Sequence, residues 1–361
     1  MRVAILINLA HPKNNEIARG AVRHGAPRGW EFSFFAANQQ GLKQAVNWGA
    51  RGLIASAARS DVAESLRQVG LPCVNVSAAL ADPGLPTVRV DDEAVGRLAA
   101  EHLLEQGLRR ATVLTRPHAD YNLRRSDGFT QRFAVEGELV PAPRGERWTA
   151  WLRRHQPVGC FATTASIAHQ SLNCLRGSGE VPDKAALVSA TDDELRCASA
   201  TPAISAISMP GEVIGERAVS MLAARLRGRG PKNHMVLLPP LPVIVRGSSD
   251  VVACPDPRVA AALRYIRSDG CERIGVDDIV AVTGCSRRSL EQAFRATLGR
   301  TVHDALRRHR LARARELLLD EQLSVRAVAH AVGLQTAEHL GELFRRFEGC
   351  SPSAYRKQRV G

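Results

Sequence analysis

The chain has 361 residues, more than the roughly 100–200 that usually share one hydrophobic core, so we predict two or three domains. Hydrophobic residues make up 45% and charged residues 24% of it, which excludes a largely disordered, collagen-like or disulfide-scaffold protein. The formal charge of +13 favours a polyanionic partner such as nucleic acid. Arginine supplies most of this charge and alanine is abundant, so genome composition is a second explanation.

The chain shows no signal for a membrane, a metal or a cofactor. No window reaches the roughly 18 uninterrupted apolar residues of a membrane span. The apolar start at 3–9 is short and a polar stretch follows at 11–15, which predicts a buried strand of a cytoplasmic protein rather than a signal peptide. The eight cysteines are scattered without a Cys-x-x-Cys pair, which favours buried hydrophobes over a zinc site or disulfides.

From residue 1 to about 246, short apolar runs alternate with amphipathic stretches. Buried strands are predicted at 3–9, 52–56, 73–76, 111–114, 159–162, 186–189 and 204–207. Helices are predicted at 15–28, 40–48, 62–69, 93–106, 125–134, 166–175 and 210–227. This alternation indicates parallel sheets covered by helices, and its length fits two successive doubly wound lobes.

The chain changes character after residue 246. The proline-rich stretch 237–246 predicts a last crossover and an edge strand, because proline lacks the N–H that a central strand needs. Glycine, serine and proline then predict a linker at 247–257, and the pattern beyond it is helical. We therefore predict an α/β ligand-sensing domain of two lobes at 1–246 and an all-α domain at 258–361.

The all-α part contains a weak internal repeat, whose glycines Gly284 and Gly333 lie 49 positions apart. In each copy a small or β-branched residue stands four before the glycine and apolar residues follow it, which permits a tight turn between two closely crossing helices. Each copy is thus predicted to be a helix-turn-helix motif, with its second helix in the major groove of DNA. The stretch 301–319 predicts a connecting helix of about 27 Å.

Residues 277–356 resemble the DNA-binding domain of the AraC/XylS family. Ordered spacings agree over about 80 residues, including Phe294, Gly299, the 310–318 block and the segment 351–356. Leu334 and Leu340 depart from it, because the family usually has aromatic residues there. The resemblance implies an all-α domain with two helix-turn-helix motifs that binds double-stranded DNA.

The exposed faces of the two recognition helices supply the candidates for contact with DNA. Arginine suits guanine, glutamine suits adenine, and glutamate accepts from cytosine. The first helix offers Ser286, Arg287, Arg288, Glu291, Gln292 and Arg295. The second offers Thr336, Glu338, His339, Glu342, Arg345 and Arg346, the last two as phosphate contacts. For any single one of these residues, a solvated side chain is about as good an explanation as a contact with a base.

The α/β part resembles the periplasmic-binding-protein-like sensor of LacI/GalR-type repressors. The likeness rests on short stretches in a fixed order: 52–55, 88–96, 102–107, 125–129 and 186–189. It implies a ligand in the cleft between the lobes, held by polar groups on loops at strand ends. A sensor of this kind ahead of an AraC-type domain resembles the xylose operon regulators. That resemblance implies a sugar-responsive activator that binds DNA as a homodimer and acts on RNA polymerase.

The candidate ligand-binding residues fit this implication in part. Arg125 stands where the family has its hydroxyl-binding arginine, and Asn14 offers a further polar wall. Thr164 and Thr191 stand where sugar sites commonly have aspartates, and Asp192 lies one position later. A small polar effector such as xylose is expected, with another sugar, a sugar acid or a ligand-independent DNA-binding protein as alternatives. We find no nucleophile elbow or phosphate loop, so we do not expect an enzyme.

Overall fold

The computed structural model describes residues 1–116, 118–143, 148–176, 185–229, 234–249, 256–267, 274–320, 322–348 and 350–359. The strands are β1 (Arg2–Leu6), β2 (Glu31–Phe35), β3 (Gly52–Ala55), β4 (Cys73–Asn75), β5 (Thr87–Val90), β6 (Arg110–Leu114), β7 (Glu138–Leu139), β8 (Val158–Ala162), β9 (Ala185–Ser189), β10 (Ser205–Ile207), β11 (Met235–Leu238) and β12 (Val243–Ile244). The helices of the N-terminal part are α1 (Pro12–Gly25), α2 (Gln39–Asn47), α3 (Ser60–Gln68), α4 (Asp92–Glu105), α5 (Asp120–Phe133), α6 (Trp148–His155), α7 (Ala165–Arg176), α8 (Glu194–Ala198) and α9 (Gly211–Leu226). Those of the C-terminal part are α10 (Pro257–Arg267), α11 (Val276–Thr283), α12 (Arg287–Leu298), α13 (Val302–Leu317), α14 (Val325–Ala331), α15 (Ala337–Glu348) and α16 (Pro352–Arg359).

The N-terminal part forms two lobes, each on a six-stranded sheet. The strand order is β11-β5-β4-β3-β1-β2 in lobe 1 and β12-β10-β9-β8-β6-β7 in lobe 2, so the lobes repeat one topology. The described strand pairs are parallel, apart from the antiparallel pair of β10 with β12 at the edge of lobe 2. Central strands buried on both faces account for the short, wholly apolar runs of the sequence. The predicted two-lobed α/β architecture is confirmed.

The chain crosses between the lobes three times, after β5, after β10 and after β11. The first crossover enters α4, which packs closely against α5 of lobe 2. A Cβ atom on Gly96 of α4 would lie 2.1 Å from the backbone oxygen of Arg125, and one on Gly128 of α5 would lie 2.1 Å from that of Glu93. Only glycine therefore lets these two helices approach so closely.

The third crossover contains the prolines at 239, 240 and 242, and it joins the edge strands β11 and β12. Beyond β12, Ser248 and Ser249 are fully buried in lobe 2. The Ser248 hydroxyl donates to the Leu187 carbonyl oxygen at 2.6 Å, and Ser249 donates to the Ser205 hydroxyl at 2.6 Å. Residues 250–255 lie outside the described ranges, so the extent of the predicted linker, 247–257, stays a prediction.

The C-terminal domain packs its helices around two hydrophobic clusters, one centred on Phe294 and the other on Phe344. Helix α13 contributes to both clusters, since Leu306 lies in the first and Leu311 in the second. The pairs α11/α12 and α14/α15 are helix-turn-helix motifs, as predicted. Across the described ranges, no helix is long and apolar enough to cross a membrane.

Candidate functional site

The two lobes touch where helix α5 of lobe 2 begins. The backbone N–H of Asp120 donates to the Ala79 oxygen of lobe 1 at 2.9 Å. The Asp120 carboxylate also accepts a 3.0 Å hydrogen bond from Arg89 of β5, whose side chain is 2% exposed. Arg124 of α5 donates to the same carboxylate oxygen at 2.7 Å. A buried, paired charge network therefore ties the lobes together beside the crossovers.

Arg125 of α5 is buried at the edge of lobe 2 where α4, α5 and the end of β8 meet. Its Nε donates to Asp92 Oδ1 at 2.8 Å and its Nη1 donates to the Thr163 carbonyl oxygen at 2.7 Å. The Arg125 side chain is 4% exposed and that of Asp92 is fully buried. The ring of Tyr121 lies 4.8 Å from the guanidinium carbon of Arg125. The ion pair, the hydrogen bond and the ring contact hold the guanidinium in one orientation. Removing one partner of such a buried ion pair is strongly destabilising.

Three buried polar atoms on the elements that form this wall have no hydrogen-bond partner among the described residues. They are Asp92 Oδ2, Arg89 Nε and Asn122 Oδ1. A buried polar atom without a partner destabilises a protein by about 1–3 kcal/mol. Hydroxyl groups both donate and accept hydrogen bonds, so they have the chemistry that these atoms lack.

Lys13, in the first turn of α1, faces the same group of charges from lobe 1. The pKa of Lys13 is lowered to about 8, chiefly by burial, with Asp92 and Glu16 raising it and Arg125 and Arg89 lowering it. Within the described ranges, no hydrogen bond or ion pair joins Lys13 Nζ to another residue. Lys13, Arg89, Asp92 and Asn122 were not among the residues predicted from the sequence. Lys13, Asp92 and Asn122 lie in the first turns of their helices, and Arg89 lies within β5.

The predicted threonines support the wall of the cleft through their hydroxyl groups. Thr164 Oγ1 accepts from the Ile167 N–H at 3.3 Å and thereby caps α7. Thr191 Oγ1 accepts from the Ala165 N–H at 3.0 Å, which joins the ends of β8 and β9. Because Arg125 binds the neighbouring Thr163 carbonyl, these two threonines and Arg125 belong to one wall.

Asp192 and Asn14 both have hydrogen-bond partners of their own. Asp192 makes a two-point ion pair with Arg246, with N–O distances of 2.9 and 3.0 Å. Asn14 Nδ2 donates to the Asn8 carbonyl oxygen at 2.8 Å. Of the five predicted ligand residues, four lie in lobe 2 and Asn14 lies in lobe 1, and their contact with a ligand stays a prediction.

The recognition helices α12 and α15 begin in the same way. Ser286 accepts from the Ser289 N–H at 3.2 Å, and Thr336 accepts from the His339 N–H at 3.3 Å. Each hydroxyl therefore caps its helix, which leaves it free for DNA only through its remaining lone pair and proton. The turns before them need glycine, because φ is +63° at Gly284 and +73° at Gly333.

The other predicted DNA contacts are exposed with one exception. Glu291 is half-buried, and its Oε2 has no hydrogen-bond partner among the described residues. It lies close enough to His303 of α13 that its charge raises the pKa of that histidine, although burial lowers this pKa overall. Arg287 is exposed but pairs with Asp277 at 3.0 Å. The exposed set comprises Arg287, Arg288, Gln292, Arg295, Glu338, His339, Glu342, Arg345 and Arg346. The contact of these residues with DNA stays a prediction.

The C-terminal end of α4 contacts the DNA-binding domain. Arg300 donates to the Glu105 carbonyl oxygen at 3.1 Å, and Arg308 of α13 pairs with the Glu105 carboxylate at 3.4 Å. Arg109, just beyond α4, donates to the Leu298 carbonyl oxygen at the end of α12 at 2.9 Å. Burial at this contact lowers the pKa of the Arg300 guanidinium. Helix α4 therefore begins with Asp92, which binds Arg125 in the sensor, and ends at the contact with the DNA-binding domain.

Comparison with known proteins agrees with both halves of this architecture. Residues 5–151 match the model of periplasmic binding proteins and the sugar binding domain of the LacI family, and residues 100–249 match a periplasmic binding protein-like domain. Residues 279–358 match a helix-turn-helix domain. The chain thus joins a sensor of the periplasmic-binding-protein type to a helix-turn-helix domain, an order that resembles AraC-type regulators with a LacI/GalR-type sensor.

The chain has relatives that match along nearly its whole length. It is 25% identical to the xylose operon regulatory protein of Escherichia coli K12, over 98% of this chain and 96% of that relative. Its fold is similar to a structure of the xylose-binding transcription activator xylR, with 24% identity, a TM-score of 0.61 and coverage of 100% and 98% of the two chains. The sensor alone is similar to a LacI family regulator of Enterococcus faecium with bound ribose, at 21% identity, a TM-score of 0.54 and coverage of 69% and 98%.

Proposed function

We propose that this regulator binds a sugar or sugar derivative between its lobes and controls transcription of a sugar-utilisation operon in response. The observation that carries the proposal is the position of α4, which begins with Asp92 in the cleft and ends with Glu105 against the DNA-binding domain. The names of the relatives support a sugar as the effector and xylose as the first candidate. Activation, a homodimer and contact with RNA polymerase are further parts of the proposal.

In this mechanism the effector bonds the unpartnered atoms of the cleft and stabilises one relative position of the lobes. An effector changes an equilibrium only through a difference in its affinity for the two states. Asp92 and Glu105 belong to one helix, so a movement of the cleft wall also moves the contact with Arg300 and Arg308. The two helix-turn-helix motifs are thereby repositioned on their half-sites.

Two measurements on the full chain test the proposal. A thermal-shift screen against pentoses, hexoses and sugar acids identifies the effector, since a ligand at 100 times its Kd stabilises the native state by about 2.7 kcal/mol. Selection of the sequences that the same protein binds from a library of random DNA identifies its DNA-binding site. A hit in the screen that changes the affinity for the selected DNA supports the function. Ligands that bind the sensor and leave that affinity unchanged contradict it.

A further inference from the structure

The first turn of α10 is bonded to the first recognition helix. Arg258 of α10 donates through Nη1 to the Ser289 hydroxyl of α12 at 2.6 Å. Its Nε and Nη2 bind the two carboxylate oxygens of Asp256 at 3.0 and 2.6 Å. Val259 and Leu290 lie in one hydrophobic cluster, which holds the start of α10 against α12. The guanidinium of Arg258 is therefore fixed beside the recognition helix.

This arrangement leaves two neighbouring hydrogen-bond donors for a further acceptor. The three bonds of Arg258 use three of the five N–H groups of a guanidinium, and among the described residues no hydrogen bond or ion pair engages the other two. The Arg258 side chain is 42% exposed. Ser289 accepts from Arg258, so the proton of its own hydroxyl remains available to an acceptor.

The pairing with Asp256 orients Arg258 and still leaves it attractive to an anion. Asp256 Oδ1 also accepts from the Arg258 backbone N–H at 2.9 Å, at the start of α10. Hydrogen bonding to Arg258 lowers the pKa of Asp256 to about 2, so the pair is ionised at neutral pH. The positive end of the helix dipole compensates part of the carboxylate charge, and the outer edge of the guanidinium keeps its own.

Ser289 lies on the flank of the recognition helix. At about 100° per residue it falls between the exposed Gln292 and the buried Leu290 on the surface of α12. A recognition helix presents its outer face to the bases of the major groove, and contacts with the phosphates beside that groove set its register. Arg258 and Ser289 are thus placed where a DNA backbone passes the helix.

We propose that Arg258 and Ser289 together bind one backbone phosphate of the DNA that the first recognition helix reads. The guanidinium and the hydroxyl each donate to a phosphate oxygen, and the bond from the guanidinium is charge-assisted. The inference rests on the DNA binding of the proposed function. Neither residue was among the candidates predicted from the sequence, because Arg258 lies 31 residues before Ser289 and outside both recognition helices.

The salt dependence of DNA binding tests this proposal. We would measure the Kd of the full chain for its selected DNA and for unrelated DNA of the same length. Arg258→Gln should weaken both by the same factor, because a phosphate contact carries no sequence information. With one phosphate contact fewer, that loss should be about three to four times larger at 50 mM than at 200 mM salt. Arg258→Lys should keep the salt dependence of the wild type, since it keeps the charge.

Two further variants separate a phosphate contact from a structural role. Ser289→Ala should weaken both DNAs equally and leave the salt dependence unchanged, because a hydroxyl carries no charge. Arg59→Gln is the matched control and should change neither Kd. In lobe 1, Arg59 makes the same two-point pair with an acid two residues away, at 2.9 and 3.0 Å to Asp61.

Three results would overturn the inference and leave the proposed function standing. The first is an Arg258→Gln variant that binds DNA as well as Arg59→Gln does. The second is a loss confined to the selected DNA, with an unchanged salt dependence, which would mean that Arg258 only positions α12. The third is a loss in Arg258→Lys as large as in Arg258→Gln, since the charge is then not what matters. A full chain that binds no DNA would contradict the proposed function and this inference together.

Discussion

Asp92 and Glu105 are the first and last residues of helix α4, and they contact different domains. Asp92 Oδ1 accepts from Arg125 inside the sensor at 2.8 Å, and the Glu105 carboxylate pairs with Arg308 of the DNA-binding domain at 3.4 Å. A helix of 14 residues spans about 21 Å. His102, one turn before Glu105, also bonds Ser249 at 2.8 Å where the chain leaves lobe 2. One helix thus connects the cleft, the C-terminal end of the sensor and the DNA-binding domain.

Glu105→Gln is expected to weaken the coupling between effector and DNA without weakening the binding of effector. An ion pair of this exposure contributes about 0.2–1 kcal/mol, so the effector-induced change in DNA affinity should fall by about 1.5- to 5-fold. Fluorescence anisotropy on the selected DNA, with and without effector, measures the change. Glu31→Gln removes an ion pair of similar length in lobe 1, 3.3 Å to Arg2, and should leave the coupling intact. Equal effects of the two variants would show that Glu105 plays no special part.

Arg288→Ala should reduce affinity for the selected DNA by about 1–3 kcal/mol and relax specificity at one base pair, because Arg288 is exposed on the first recognition helix. Arg346→Ala should weaken all sequences about equally and lower the slope of log Kd against log salt by about one. Binding to a set of single-base variants of the site, at several salt concentrations, separates these results. Sequence-independent losses from both variants would contradict base reading by Arg288.

Arg125→Gln should lower the free energy of unfolding by about 3–5 kcal/mol, because it leaves the buried Asp92 carboxylate without its partner. Adding Asp92→Asn should restore part of that loss, since the unpaired charge is then absent. Urea unfolding of the single and double variants measures both free energies. Purely additive losses would mean that the two side chains do not interact as the structure indicates.

Lys13→Met should raise the Tm by a few degrees at pH 7. The ordinary pKa of 10.5 falls to about 8 in the folded protein, so between these values the unfolded chain binds more protons than the folded chain. The charge of Lys13 therefore destabilises the fold fully below pH 8 and no longer does so above about pH 10.5. The advantage of Lys13→Met over wild type should shrink between pH 7 and pH 9.5. A difference independent of pH would contradict this origin, and Lys43→Met is the exposed control.

Gly128→Ala should destabilise lobe 2 by about 1–3 kcal/mol, because its Cβ would lie 2.1 Å from the Glu93 backbone oxygen of α4. Gly341→Ala is the comparison, since that Cβ would meet no atom closer than 3.6 Å and alanine favours the helix by about 0.5–1 kcal/mol. Calorimetric unfolding should therefore show opposite signs for the two substitutions. A neutral result for Gly128→Ala would mean that α4 and α5 separate readily.

Local patterns predicted the helix-turn-helix motifs and the alternation of strands and helices. They did not predict β2 and β5. The edge strand β2 is only half-buried, and β5 contains Arg89, so neither shows an uninterrupted apolar run. The predicted helix at 15–28 begins instead at Pro12, because proline suits the first turn of a helix.

The cleft was predicted less completely because its contacts join distant positions. Arg125 bonds Asp92, 33 residues earlier, and Thr163, 38 residues later. Asp92 lies in a stretch with Asp91 and Glu93, and nothing local distinguishes which acid turns inward. Asp91 in fact caps α4 by accepting from the Ala94 N–H at 2.9 Å. Likewise, Lys13 gains Asp92 and Arg125 as charged neighbours only when α1 of lobe 1 meets lobe 2.

The central claim is that a ligand in the cleft changes how the chain binds DNA. The most direct test is the Kd of the full chain for its selected DNA, measured at saturating concentrations of the best ligand from the screen and in its absence. Coupling free energies of this kind are typically 1–3 kcal/mol, so the account predicts a change of about 5- to 150-fold. Glu105→Gln should reduce that change. An identical Kd with and without a ligand that demonstrably occupies the sensor would contradict the account.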